Sequence, residues 1–220
     1  MDGLVSRGLK VTRGLVLLSC GPSVRNHASF LRLHSLVSQS LFDFVLSFGG
    51  QSTLDHQIVV PLTSFVRNVY IHGLEPWEAL VKSFAEDYMS LDNAPPVLVW
   101  NNYEVVKGQR VFKGTKSRLL ARSNFTWRPW GIDFWKCFKC NASMQYLKFT
   151  SSGNPSQGND WIETELQYSC NRCQSFKTCG YPLWVKAVPG KADLVQFTWP
   201  LSVEQLKYIG YRETDFQTKS

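Results

Sequence analysis

No apolar run in this chain of 220 residues approaches the roughly 18 needed to cross a bilayer as a helix, which excludes a helical membrane protein. Charge is sparse, at 19% against 44% hydrophobic residues, so the chain is not a disordered charged tail and can bury a core. A convincing secretory leader is also lacking. Arg7, Lys10 and Arg13 precede Leu15-Val16-Leu17-Leu18, but that run spans about six residues, below the roughly 7–15 of a signal's apolar segment. It reads as a short buried strand, and the expected location is intracellular, with cytoplasm and nucleus not distinguishable. In such a compartment the six Cys are thiols or metal ligands rather than disulfides. Histidine is scarce: His27, His34, His56 and His72 all follow Cys20, and none precedes it.

The composition that is present describes a globular, mildly basic chain with 14% aromatic residues. The net charge of +7 favours anionic partners without naming one. Its distribution says more. Residues 41–104 hold two basic and eight acidic side chains, whereas residues 105–159 hold ten basic side chains and only Asp133 acidic. The switch near 104 predicts a boundary, with a first domain over 1–104, a basic connecting stretch over 105–130 and a second domain over 131–220.

In the first domain, residues 14–19 read as a buried strand closed by Gly21-Pro22. Phe30, Leu31, Leu33, Leu36 and Val37 fall at helical spacing over 28–40. Residues 42–48 form a second strand before Gly49-Gly50, helices are expected over 62–72 and 75–89, and Val97-Leu98-Val99-Trp100 makes a third strand. Strand, helix, strand, helices, strand is the order of a parallel α/β sheet.

Residues 12–100 resemble the C-terminal half of a caspase-like cysteine peptidase domain of the CHAT type. The likeness rests on Leu17-Leu18-Ser19-Cys20, on the strand and loop Phe42 to Gly50, and on Phe65, Val69-Tyr70, Gly73 and Pro76-Trp77-Glu78-Ala79-Leu80. It implies a nucleophilic role for Cys20, with the family's His lying upstream of it. No His stands there in this sequence, so the fragment is expected to be inactive unless missing sequence or another chain supplies the base.

The second domain carries the clearest chemical signal. Cys137-Phe138-Lys139-Cys140 and Cys170-Asn171-Arg172-Cys173 are two Cys-x2-Cys pairs. Each such turn lets two thiolates converge on one ion, and two turns complete a tetrahedron. Asn141 can take the left-handed conformation such a turn needs. Strands are expected over 142–150, 161–168, 181–188 and 194–199, and residues 130–188 resemble a zinc ribbon. The resemblance implies a structural Zn site of Cys137, Cys140, Cys170 and Cys173, with Cys179 able to replace one of them. The expected fold class is therefore α/β, a partial caspase-like parallel sheet with flanking helices, followed by a small zinc-stapled β module.

Lys107, Arg110, Lys113, Lys116, Arg118, Arg122 and Arg128 are interleaved with Phe112, Phe125, Trp127 and Trp130. Cations beside rings suit a nucleic-acid or other anionic partner. They are equally compatible with a solvated face over an aromatic core. The sequence thus reads as a zinc-binding protein whose module contacts protein or nucleic acid, with no membrane partner and no small-molecule cofactor. The alternative is a cysteine peptidase using Cys20.

Overall fold

The computed structural model describes residues 12–18, 21–50, 55–124, 128–132, 136–151 and 165–210. The chain forms two compact units, 1–117 and 118–220. No helix among the described residues is long and apolar enough to cross a membrane.

The first unit opens with β1 (Gly14–Val16), followed by α1 (Pro22–Arg25) and α2 (His27–Ser38). Asn26 caps α2 by accepting the Ser29 N–H at 3.0 Å, which satisfies one of the donors left open at a helix start. Next come β2 (Phe44–Phe48), α3 (Asp55–Tyr70), α4 (Pro76–Phe84), α5 (Tyr88–Asn93) and β3 (Pro96–Val106). The final strand, β4 (Gln109–Arg122), begins in this unit and contributes residues 118–122 to the second.

All five residues of β2 are buried because helices cover both of its faces. Alternation sends Phe44 and Phe48 to one side, where Phe44 meets Phe65 of α3 edge-on at 5.4 Å and Phe48 lies 6.1 Å from Phe84 of α4. Ser47 points the other way and lies 3.4 Å from Ser23 of α1. Gly14 faces Phe44 in the β1–β2 register, and a Cβ there would come within 2.1 Å of the ring, so the close approach requires glycine.

The sheet is mixed, which corrects the expected parallel arrangement. β1 and β2 are parallel, but β3 runs antiparallel to β2, with Phe48 opposite Pro96 and Phe44 opposite Trp100. Three helices separate these strands, yet they make an excursion and not a crossover. The chain re-enters beside the point it left, where the Gly49 N–H donates to the Pro95 carbonyl at 2.8 Å. Element order alone does not reveal where an excursion of paired helices ends.

α3 begins seven residues before the expected helix and runs through Pro61. Proline removes the N–H that would bond to the carbonyl four residues earlier. Here that carbonyl, of Gln57, accepts the buried Ser90 hydroxyl of α5 at 2.9 Å. The single helix expected over 75–89 is two, since Asp87 caps α5 by accepting the Ser90 N–H at 3.0 Å.

In the second unit, β5 (Leu147–Ser151), β6 (Leu166–Cys170) and β7 (Ser175–Cys179) form an antiparallel three-stranded sheet. β8 (Lys186–Val188) and β9 (Lys191–Thr198) form a hairpin, with β9 paired to residues 118–122 of β4. The strand expected over 181–188 is confined to its last three residues, because Tyr181–Val185 turns back, the Val185 N–H donating to the Pro182 carbonyl at 2.9 Å. α6 (Val203–Tyr208) follows a capping box of Ser202 and Gln205. Trp130 is fully buried, and its backbone N–H donates to the Ser123 hydroxyl at 3.0 Å.

Candidate metal centre

The sulfurs of Cys137, Cys140, Cys170 and Cys173 all lie within 4.8 Å of one another. The first pair sits in the turn ahead of β5, and the second spans the β6–β7 hairpin, with Cys170 ending β6. The two turns share one backbone device. The Asn141 N–H donates to the Cys137 carbonyl at 2.9 Å, and the Gln174 N–H donates to the Cys170 carbonyl at 2.8 Å. Both donors have positive φ, 56° in each case. The residue four places after the first Cys thus closes each loop and aims two sulfurs at a common point. Asn141 was expected in this role. Gln174 is the position that residue type conceals, since glutamine has no special tolerance for the left-handed region.

The distances suit coordination. A tetrahedral ion with sulfur at about 2.3 Å places neighbouring sulfurs about 3.8 Å apart. Cys137 and Cys173 are separated by 3.5 Å and Cys140 and Cys170 by 3.7 Å. Both separations far exceed the roughly 2 Å of a disulfide, and the four are free thiols. Cys137 and Cys170 are buried, while Cys140 and Cys173 are partly open to solvent, which leaves one side for an ion to enter. The four residues could hold a metal ion. Cys179 stands outside this cluster, buried at the far end of β7, where burial pushes its thiol up.

Ser175, which the sequence reading did not single out, supports the sulfurs. Its hydroxyl oxygen lies 3.1 Å from the Cys173 sulfur and 3.4 Å from that of Cys137. Burial opposes ionising Cys137, yet the Cys140 N–H, the Ser175 hydroxyl and the Lys139 N–H outweigh it and bring the thiol down to about 6. Cys173 is also held low, chiefly by the Ser175 hydroxyl. Cys140 goes the other way, raised to about 11 by burial and by the neighbouring thiols. A dication bound among these sulfurs would displace the protons the thiols still carry. Ser175→Ala is expected to weaken metal affinity by about 10–100-fold, the usual cost of losing a hydrogen bond to a ligand. Competition against a chromogenic chelator measures this, and unchanged affinity would remove Ser175 from the site.

The basic residues of 107–128 are engaged in different ways. Arg122 pairs with Asp193 at 2.8 Å, and Arg118 donates to Gln196 at 2.9 Å. Burial lowers the Arg118 guanidinium below its ordinary value. Arg128 is buried, at 2% exposure. Lys113 pairs with Glu104 at 3.1 Å, while Lys107 and Lys116 are exposed. Arg110 lies in β4. Cys20 lies outside the described residues. Comparison of the chain with family models, curated proteins and solved structures finds no match.

Proposed function

We propose that the second unit is a zinc-stapled, ribbon-like module and that the chain works through contact with a macromolecule, protein or nucleic acid, rather than through chemistry at the metal. The observation that carries this reading is the convergence of four sulfurs from two matched turns. A set of four soft thiolates in tetrahedral spacing suits Zn(II) or iron. With all four positions filled by protein, no site remains for water or substrate, and the ion's role is structural. The neighbouring sheet has five-residue strands, and a sheet that small gains most from a covalent or metal staple.

Elemental analysis of the purified chain tests the proposal. One zinc per chain is expected, lost when Cys137→Ser and Cys140→Ser are combined. An equimolar iron content would overturn the assignment to zinc, and the absence of any stoichiometric metal would overturn the module itself.

A further inference from the structure

The three-stranded sheet beside the sulfur cluster has two unlike faces. Register and alternation put Leu147, Tyr168, Cys170 and Ser175 on one, and all four are buried. The opposite face carries two rows across the strands. Lys148, Ser169 and Phe176 make one row, and Thr150, Gln167 and Thr178 make the other. Lys148, Thr150, Phe176 and Thr178 are exposed, and no acidic residue stands in either row. Phe176 is 60% exposed, a large ring left in water among hydrogen-bonding neighbours.

From this we infer that the open face of the β5–β6–β7 sheet binds single-stranded nucleic acid, Phe176 stacking on a base and Lys148 meeting the adjoining phosphate. The inference rests on the zinc-stapled reading of the module and assigns its partner. Charge agrees with it. Over 136–179, Lys136, Lys139, Lys148, Arg172 and Lys177 stand against Asp160, Glu163 and Glu165; Lys148 is the cation in the two rows of this face, while Lys177 stands on the opposite one. Such an excess attracts a polyanion and repels a basic one. Chemistry separates nucleic acid from an apolar protein partner. A protein contact concentrates its energy in desolvated pockets lined by several apolar groups, whereas this face offers a single ring surrounded by Lys, Ser, Thr and Gln. One ring among cations and hydroxyls suits a base with its sugar and phosphate, because every base presents a π face. A duplex hides those faces, so single strands are the occupant.

Fluorescence anisotropy of the metal-loaded full chain with a labelled oligothymidylate of about twelve nucleotides, repeated with oligouridylate, tests this. Affinity is expected to fall steeply between about 50 and 200 mM salt. Phe176→Ala is expected to weaken binding about tenfold, and Lys148→Glu to weaken it and flatten the salt dependence. The Lys82→Glu variant should stay within about twofold of the parent, since Lys82 is an exposed residue of α4 in the first unit. Absence of binding at low salt, equal affinity for duplex, or indifference to Phe176→Ala and Lys148→Glu would each overturn the inference. Zinc is measured on every variant. A chain that holds zinc and ignores the oligonucleotide sinks the nucleic-acid assignment alone, whereas a chain without metal sinks the module.

Discussion

On the zinc-stapled reading, treatment with a strong chelator, or the combined Cys137→Ser and Cys140→Ser change, is expected to unfold the β5–β6–β7 sheet. Structural zinc in Cys-rich sites supplies about 10–16 kcal/mol of apparent binding free energy, as large as the roughly 5–15 kcal/mol that stabilises a whole domain. Without an ion, four thiols converge on a point that no longer attracts them. The turns held by the Asn141 and Gln174 N–H groups must then keep two left-handed residues with little in return. Tyr168 is the main ring packed on the buried face of the sheet, meeting Phe138 and Phe149 at 6.1 Å each. The contact with Phe138 depends on the first turn staying in place. The first unit owns a separate core around Phe44, Leu46, Phe65, Leu80 and Phe84 and should persist. Hydrogen exchange reads both at once. Amides of β6 and β7 should lose protection on chelation while those of β2 keep it; retained protection in β6 would show that the sheet stands without its staple.

Gly131→Ala should be strongly damaging to the second unit. Gly131 has φ +71°, and a Cβ there would lie 2.6 Å from Val195 Cγ2 and 2.7 Å from Ala121 Cβ. Two costs combine: the left-handed conformation, about 1–2 kcal/mol for a residue with a Cβ, and overpacking, about 1–3 kcal/mol. Val195 and Ala121 are themselves paired across β9 and β4 and fully buried, so neither can withdraw cheaply. A loss of about 2–5 kcal/mol is expected in denaturant unfolding. Adding Ala121→Gly removes one of the two clashes, so the double variant should be less destabilised than the sum of the single changes. Strict additivity would mean that the collision with Ala121 is not the source of the cost.

Much of the site was legible because its logic is local. A Cys-x2-Cys spacing is a statement about one turn, and residue order is enough to place two sulfurs together. The Asn141 turn was readable for the same reason, whereas Gln174 could be found only by noticing that it occupies the equivalent place in the second pair. Ser175 was invisible as a partner of Cys137, from which it is separated by 38 residues.

The basic stretch shows the same division. Composition can count Arg122 and Arg128, but whether a guanidinium faces an outside anion depends on what folds against it. Arg122 meets Asp193 across 71 residues, and Arg128 is buried. Ser90 illustrates the point in the first unit. Pro61 reads locally as a helix breaker, and the helix survives because a hydroxyl 33 residues from Gln57 takes the orphaned carbonyl.

By itself, then, the sequence determined the elements whose causes lie within a few residues: the apolar strands, the amphipathic helices, the two metal-spaced turns and the change of charge near 104. Tertiary structure decided the antiparallel entry of β3, the continuation of α3 through Pro61, the pairing of the arginines and the open face that carries Phe176. Each of these depends on which groups meet across long loops. Such meetings are settled by burial and by the need to satisfy every enclosed polar group, not by the identity of sequence neighbours.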